Sequence, residues 1–144
     1  MSRPITPLIA ADIIIELIDY PGRPIVLIER ANPPYGWAIP GGFVDVGERV
    51  EHAAIREAQE EVGLTIKLIA LLGIYSDPGR DTRGHTVTAC YVAEAAGSPI
   101  AADDAKNCQL FYRDNLPEIL AFDHAQVLSH YLNYRNTGQV APLL

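Results

Sequence analysis

Residues 42–64, GFVDVGERVEHAAIREAQEEVGL, contain the pattern that decides the fold of this chain. Glu60 and Glu61 follow Glu57 by three and four residues. At about 100° of rotation per residue, a helix would place these three carboxylates on one arc of its surface. Repulsion between like charges at this spacing costs roughly 0.2–0.5 kcal/mol per pair on an exposed helix. A divalent cation would offset that repulsion, and carboxylate oxygens are the hard ligands that Mg²⁺ and Mn²⁺ take.

The neighbouring positions predict how this helix is packed and where it ends. Ala54, Ala58 and Val62 recur every fourth residue, so they form an apolar arc that should pack against a sheet. Gly63 follows directly and is placed to stop the helix in a left-handed conformation. Gly47 marks a turn immediately before the helix. Turn, helix and stop signal therefore agree with one another.

The fixed positions of this stretch resemble the Nudix box, G-x5-E-x7-R-E-U-x-E-E-x-G-U. The matching residues are Gly42, Glu48, Arg56, Glu57, Glu60, Glu61, Gly63 and Leu64. The family usually carries a larger aliphatic residue where this chain has Ala58. The resemblance implies an α/β fold, a Nudix-type α/β/α sandwich with a mixed β-sheet. The alternative interpretation, a solvated and salt-bridged helix face, is disfavoured by the flanking glycines and the complete spacing match.

The resemblance also implies roles for the charged residues of the box. Glu57 and Glu61 are expected to bind the metal directly, and Glu60 to be a third ligand or to act through water. Arg56 would orient the carboxylates through a bidentate hydrogen bond, or else be a surface ion pair of little energetic value. Glu48 would stabilise the preceding loop or hold a metal-bound water.

Two expected metal contacts lie outside the helix. Residues 37–42 form a W-x-x-P-G-G run that is common before the box, and the resemblance implies a metal ligand in the backbone carbonyl of Gly41. Trp37 fits core packing equally well. Asp103 and Asp104 lie in an acidic connection between two predicted strands, where the family often places a metal-binding or basic carboxylate. We expect Asp104 to bind metal, with a solvated turn as the alternative, and the identity of the general base stays open.

Substrate choice is suggested by a second segment. Residues 76–85, SDPGRDTRGH, resemble a segment of small bacterial and archaeal ADP-ribose pyrophosphatases that often reads PGRDPRGH, with Thr82 here in place of the proline. Arg80 and Arg83 could pair with the phosphates or the terminal ribose, because a planar guanidinium suits bidentate contacts. The alternative is a solvated, charged loop. His85 would bond a ribose hydroxyl or cap the following strand.

These resemblances imply Mg²⁺-dependent hydrolysis of the pyrophosphate bond of a nucleoside diphosphate derivative. ADP-ribose, cleaved to AMP and ribose 5-phosphate, is the first expectation. A pyrophosphohydrolase of nucleoside triphosphates, including oxidised ones, is an alternative, and other sugar nucleotides or dinucleotides stay open. A non-catalytic ADP-ribose-sensing domain is a third hypothesis, disfavoured by the intact glutamates and the single-domain length.

Composition limits the remaining possibilities. The 144 residues fit one domain spanning 1–144, and the apolar fraction of 49% is enough for a single core. The net charge of −7, with only eleven lysines and arginines, argues against a nucleic-acid polymer as partner but is compatible with a small phosphorylated substrate held through metal. No run is long enough to cross a membrane and no signal-peptide cleavage site follows the N-terminus, so we expect a cytoplasmic protein.

The remaining chain is predicted to alternate strands with loops. Apolar periodicity predicts strands at 8–19, 24–30, 65–75, 85–95 and 108–112, with a last helix from Asp123 to about Arg135. Residues 121–124, AFDH, also resemble the ADP-ribose subgroup and are interpreted as structural. The tail from 136 is expected to be loose. The apolar N-terminal strand would serve either as core or as the interface of a homodimer, and both cysteines are expected to be reduced.

Overall fold

The computed structural model describes residues 2–102 and 105–144. The first four strands are β1 (Leu8–Leu17), β2 (Ile25–Arg30), β3 (Trp37–Ala38) and β4 (Gly41–Phe43). They are followed by α1 (Val50–Val62), β5 (Lys67–Tyr75), β6 (Thr86–Ala95), β7 (Ala105–Phe111) and α2 (His124–Thr137). The helix predicted from the glutamate spacing is α1, and Gly63 ends it with a φ of 68°.

The strands form one mixed sheet in the order β3-β2-β1-β6-β5, with β4 also pairing with β1 and β7 with β2. β1 and β6 run parallel over ten residues, whereas the other pairs are antiparallel. β1 and β2 are joined by the predicted hairpin. The mixed sheet places the start of β1 beside the glycines of β4 that precede α1.

The core lies on both faces of the sheet. Ile13 and Ile15 belong to a cluster with the apolar arc of α1, while Ile14 points to a second cluster that includes residues of α2. Alternate residues of a strand point to opposite faces, so the run of three isoleucines marks a strand covered on both sides. Ala58, on the apolar arc of α1, is fully buried. The predicted α/β/α sandwich with a mixed sheet is therefore confirmed.

Two sequence expectations about the last third of the chain are wrong. β7 begins at Ala105 and not at Cys108, because backbone pairing with β2 continues through polar residues as far as Arg30. The tail is not loose throughout, since α2 continues to Thr137 and the Ala141 N–H donates a 2.8 Å hydrogen bond to a carbonyl of β5.

Asp123 occupies the N-cap position of α2, but its side chain makes no capping hydrogen bond. Its carboxylate binds Arg80 instead. Within the described part of the chain, neither helix has the length and apolarity needed to cross a membrane. Cys90 is buried, Cys108 is partly buried, and both are free thiols.

Candidate active site

A cleft of about 570 Å³ lies beside α1 and is lined by groups of both charges. Its carboxylates include Asp12, Asp45, Glu57, Glu60 and Glu61. Its guanidinium groups come from Arg30, Arg80 and Arg83. The three glutamates of the box helix and the two arginines of the 76–85 segment therefore line the same cavity, although they are distant in sequence.

Arg56 connects the carboxylates of the box but does not itself line the cleft. Its Nε and Nη2 donate to the two oxygens of Glu48, at 2.8 and 2.9 Å. Its Nη1 donates to Glu57 at 2.9 Å and to Glu60 at 3.1 Å. Nη2 also reaches the carbonyl of Phe43 at 3.0 Å. One half-buried guanidinium thus fixes three carboxylates and the strand that leads into the box.

Glu48 is not one of the residues that line the cleft, and it closes the loop before α1. Its Oε1 accepts a 3.1 Å hydrogen bond from the Asp45 N–H. The hydrogen bonds from Arg56 and, secondarily, from that backbone N–H lower the pKa of Glu48 to about 2. Glu48 is therefore a carboxylate throughout the neutral range and a fixed anchor for Arg56.

Gly41 and Gly42 let the backbone of β4 approach the carboxylates closely. The Gly41 N–H donates a 3.0 Å hydrogen bond to Glu61 Oε1. A Cβ at Gly42 would lie 2.5 Å from both carboxylate oxygens of Glu57. A Cβ at Gly41 would lie 2.7 Å from the Asp12 Cα, which is backbone and cannot give way. Backbone atoms therefore require glycine at Gly41, whereas a Cβ at Gly42 would displace the Glu57 carboxylate.

The electrostatics of Glu57 fit a bound cation. Burial raises the pKa of this carboxyl group, and Arg56 only partly opposes the shift while the charges of Glu60 and Asp45 add to it. A divalent cation would offset the cost of burying this carboxylate beside other negative charges, and the available donors are hard oxygens. Within residues 2–102 and 105–144, no three His, Cys, Asp or Glu side chains form a ready-made metal cluster.

The predicted ligands therefore line the cavity while bonded to other groups. Arg56 holds Glu57 and Glu60, and the Gly41 N–H holds Glu61. The expectation for Asp103 and Asp104 lies outside the described residues.

The two arginines of the 76–85 segment differ in exposure. Arg80 is almost fully buried, with Nε and Nη2 on the Asp123 carboxylate at 2.9 and 2.8 Å and Nη1 on Thr88 Oγ1 at 2.7 Å. Arg83 has a side chain that is 47% exposed and forms a bidentate pair with Asp81 at 3.0 and 2.8 Å. That pair lowers the pKa of Asp81. Arg83 is thus the more accessible of the two.

His85 and Trp37 are not part of the cleft lining. The His85 Nε2 lies 2.9 Å from the carbonyl of Ser76, and its own carbonyl accepts a hydrogen bond from Leu8 at the start of β1. Trp37 packs edge-on against Phe111 with ring centroids 5.0 Å apart. The structure therefore brings Arg80 and Arg83 to the glutamates but leaves His85 at the surface.

Sequence reasoning missed several groups that line the cleft, among them Asp12, Arg30, Phe122 and His124. His124 is buried, and its Nδ1 accepts a 3.0 Å hydrogen bond from the Ile39 N–H. Its Nε2 therefore carries the hydrogen and lies 3.3 Å from the Asp12 carboxylate. Two signals in the sequence could have found some of them. Asp12 is an acidic residue inside an apolar strand, and the AFDH run at 121–124 was interpreted as structural only, although it lies at the cavity.

An α/β/α sandwich with a glycine-flanked carboxylate helix beside a charged cleft is the architecture that the resemblance to the Nudix box implies. The chain belongs to the Nudix family, because the NUDIX domain matches residues 7–131. It is 44% identical over 133 residues, covering 90% of this chain and 76% of the relative, to an ADP-ribose pyrophosphatase of Methanocaldococcus jannaschii. It is therefore a Nudix hydrolase, a family that generally uses divalent metals.

Solved structures agree with this assignment. A MutT/nudix family protein from Enterococcus faecalis superimposes with a TM-score of 0.80 at 28% identity, covering 94% of this chain. The chain spans only 65% of the length of that protein. The NUDIX domain of NrtR from Shewanella oneidensis, crystallised with ADP ribose, also gives a TM-score of 0.80, at 26% identity. That match covers 92% of this chain and 90% of the other.

Proposed function

We propose that this protein hydrolyses ADP-ribose to AMP and ribose 5-phosphate with the help of Mg²⁺, which Mn²⁺ could replace. The observation that carries the proposal is the meeting, in one cleft, of the box glutamates with Arg80 and Arg83. A pyrophosphate needs both kinds of group, because metal held by carboxylates and guanidinium groups can share its charge. The identity with the archaeal pyrophosphatase extends over 90% of the chain and supports ADP-ribose as the substrate.

The proposed metal site uses Glu57 and Glu61 as direct ligands, with Glu60 as a third ligand or a contact through water. The Gly41 carbonyl and Asp104 complete the proposed set. A bound divalent cation polarises phosphate oxygens and activates the attacking water. The chain itself contributes the positions of the ligands, since Arg56 holds Glu57 and the Gly41 N–H holds Glu61.

In the proposed reaction, a water oxygen forms a bond to one phosphorus of the bridge while the bond from that phosphorus to the bridging oxygen breaks. The two products are monophosphates, and the proton of the water is released to a base that the geometry does not single out. Arg83, being half exposed in the cleft, would contact the diphosphate or the terminal ribose. Arg80 would contribute its positive charge to the cleft from its buried position, where Asp123 holds it in place.

A hydrolysis screen with Mg²⁺ tests the proposal. It compares ADP-ribose, dGTP, 8-oxo-dGTP, NADH and sugar nucleotides, with Glu61→Gln as the inactive variant. Glu51→Gln is the matched control, because Glu51 is an exposed carboxylate in the first turn of the same helix and does not line the cleft. ADP-ribose should be cleaved with the highest kcat/KM, and only Glu61→Gln should lose turnover.

Other outcomes of the screen would identify another function. Preferential cleavage of triphosphates would show that the ADP-ribose assignment is wrong while the box chemistry stands. Tight binding of ADP-ribose by the unmodified protein without turnover would instead indicate a sensing domain. Because the chain is similar to the NrtR domain that was crystallised with ADP ribose, binding of ADP-ribose should be measured alongside its hydrolysis.

A further inference from the structure

Phe122 has a backbone conformation that bulky residues rarely adopt. Its φ is 56°, in the left-handed region where a Cβ is crowded by the backbone. The residues on both sides are held firmly: the Ala121 N–H donates to the Trp37 carbonyl at 2.8 Å, Asp123 binds Arg80, and His124 accepts from Ile39. Strained residues that their surroundings hold in place are concentrated at functional sites.

The ring of Phe122 has two guanidinium groups within cation–π distance. The Arg30 guanidinium carbon is 4.8 Å from its centroid and that of Arg83 is 5.2 Å away. Arg83 also lies 5.9 Å from the centroid of Phe43. All four residues line the cleft, and we call them the cation–π cluster. Each distance is within the range of about 6 Å over which a cation is attracted to an aromatic face.

Each guanidinium of the cation–π cluster also donates hydrogen bonds to a neighbouring oxygen. Arg30 Nε donates to the Pro34 carbonyl at 2.7 Å, and Arg83 pairs with Asp81. A hydrogen bond limits the direction in which a guanidinium points, and a ring at cation–π distance limits how far it can swing. Together they remove much of the rotamer freedom that an arginine would otherwise lose when a ligand binds.

We propose that Phe122 is a positioning residue that holds Arg30 and Arg83 as planar cations for the diphosphate of the substrate, which makes Arg30 a further substrate contact. The inference rests on the proposed function only in requiring a substrate with a diphosphate group. The strained backbone at Phe122 then brings its ring close to two arginines from distant parts of the chain, one at the end of β2 and one in the 76–85 segment. A ring in this place orders the two arginines before the ligand binds.

The test compares Phe122→Leu, which keeps apolar bulk but has no aromatic face, with Phe122→Tyr, which keeps the ring. Steady-state kinetics with ADP-ribose and Mg²⁺ give kcat and KM, calorimetric titration of ADP-ribose in EDTA gives Kd, and thermal unfolding reports the fold. Phe122→Leu should raise KM and Kd roughly tenfold, because the two guanidinium groups would lose the contacts that order them before the ligand binds. The kcat should stay within about twofold, because the box carboxylates are untouched. Phe122→Tyr should behave like the unmodified protein.

Unchanged KM and Kd in a folded Phe122→Leu protein would overturn the proposal, as would a loss confined to kcat. If Phe122→Leu does not fold, Arg30→Lys keeps the charge without the planar face and should raise Kd severalfold, so that an unchanged Kd would again overturn it. Failure of the proposed function is seen separately. If the unmodified protein cleaves a different diphosphate or triphosphate, the ADP-ribose assignment fails, and the same comparison on that substrate still tests Phe122.

Discussion

Replacing Gly42 with alanine would show whether this glycine makes room for the Glu57 carboxylate that we propose as a metal ligand. A Cβ at this position would lie 2.5 Å from both carboxylate oxygens of Glu57, whereas ordinary van der Waals contact begins at 3.4 Å. Gly42 is fixed in β4 by pairing with Ala11 of β1, so the flexible end of the Glu57 side chain must move. The displacement needed is about 1 Å, and it would disturb the 2.9 Å hydrogen bond from Arg56.

The consequence for turnover can be worked from that displacement. Misplacing a catalytic group by about 1 Å costs on the order of 100-fold in rate, which corresponds to about 2.7 kcal/mol of transition-state stabilisation. The fold should lose only about 1 kcal/mol, the size of an ordinary substitution, because a side chain and not the backbone gives way. Gly41→Ala should destabilise the fold more strongly, since its Cβ would meet the Asp12 Cα at 2.7 Å.

The assay measures kcat with ADP-ribose and Mg²⁺ together with the unfolding free energy in urea. Gly79→Ala is the matched control, because a Cβ there meets only Asp77 Oδ1, at an ordinary 3.5 Å. The control should keep both quantities. A Gly42→Ala protein with full kcat and unchanged stability would refute the reasoning, since it would show that the position of the Glu57 carboxylate does not limit turnover.

Three other perturbations separate stability from turnover. The lowered pKa of Glu48, about 2 against an ordinary 4.5, gives stability that is complete above pH 4.5 and lost as the pH falls toward 2, so Glu48→Gln should flatten the acid side of a Tm–pH curve. Tyr131→Phe removes the 2.5 Å hydrogen bond to the buried Glu16 carboxylate and should cost about 1–3 kcal/mol in urea unfolding without changing kcat. EDTA should abolish turnover of ADP-ribose and Mg²⁺ should restore it, and persistence of activity in EDTA would contradict the metal proposal.

The local features of the box were predictable because contiguous residues encode them. The helix from Val50 to Val62, its buried alanine arc and its end at Gly63 follow from the 3.6-residue period and the stop signal. The boundaries of β7 were not predictable, because the residues from Ala105 onward become a strand only by pairing with β2. Backbone pairing with a distant segment has little signal in the side chains of the strand itself.

The partners of the charged residues were equally hidden. Asp123 has the sequence position of a helix cap. Its carboxylate instead pairs with Arg80, because the 76–85 segment packs against the start of α2. His85 belongs to the same sequence segment as Arg80 and Arg83. Its side chain nevertheless lies against the Ser76 carbonyl and does not line the cleft. A motif identifies residue types, whereas the direction of each side chain depends on the path of the backbone.

The sequence by itself determined the family, the helix with its three glutamates and the arginine segment, since each is written in a short run of residues. The tertiary structure decided which side chains share the cavity with them. Asp12 from β1, Arg30 from the end of β2, and Phe122 and His124 from the start of α2 reach the box only because the mixed sheet brings those elements together. Contacts across such separations depend on strand order and register, which no local pattern specifies.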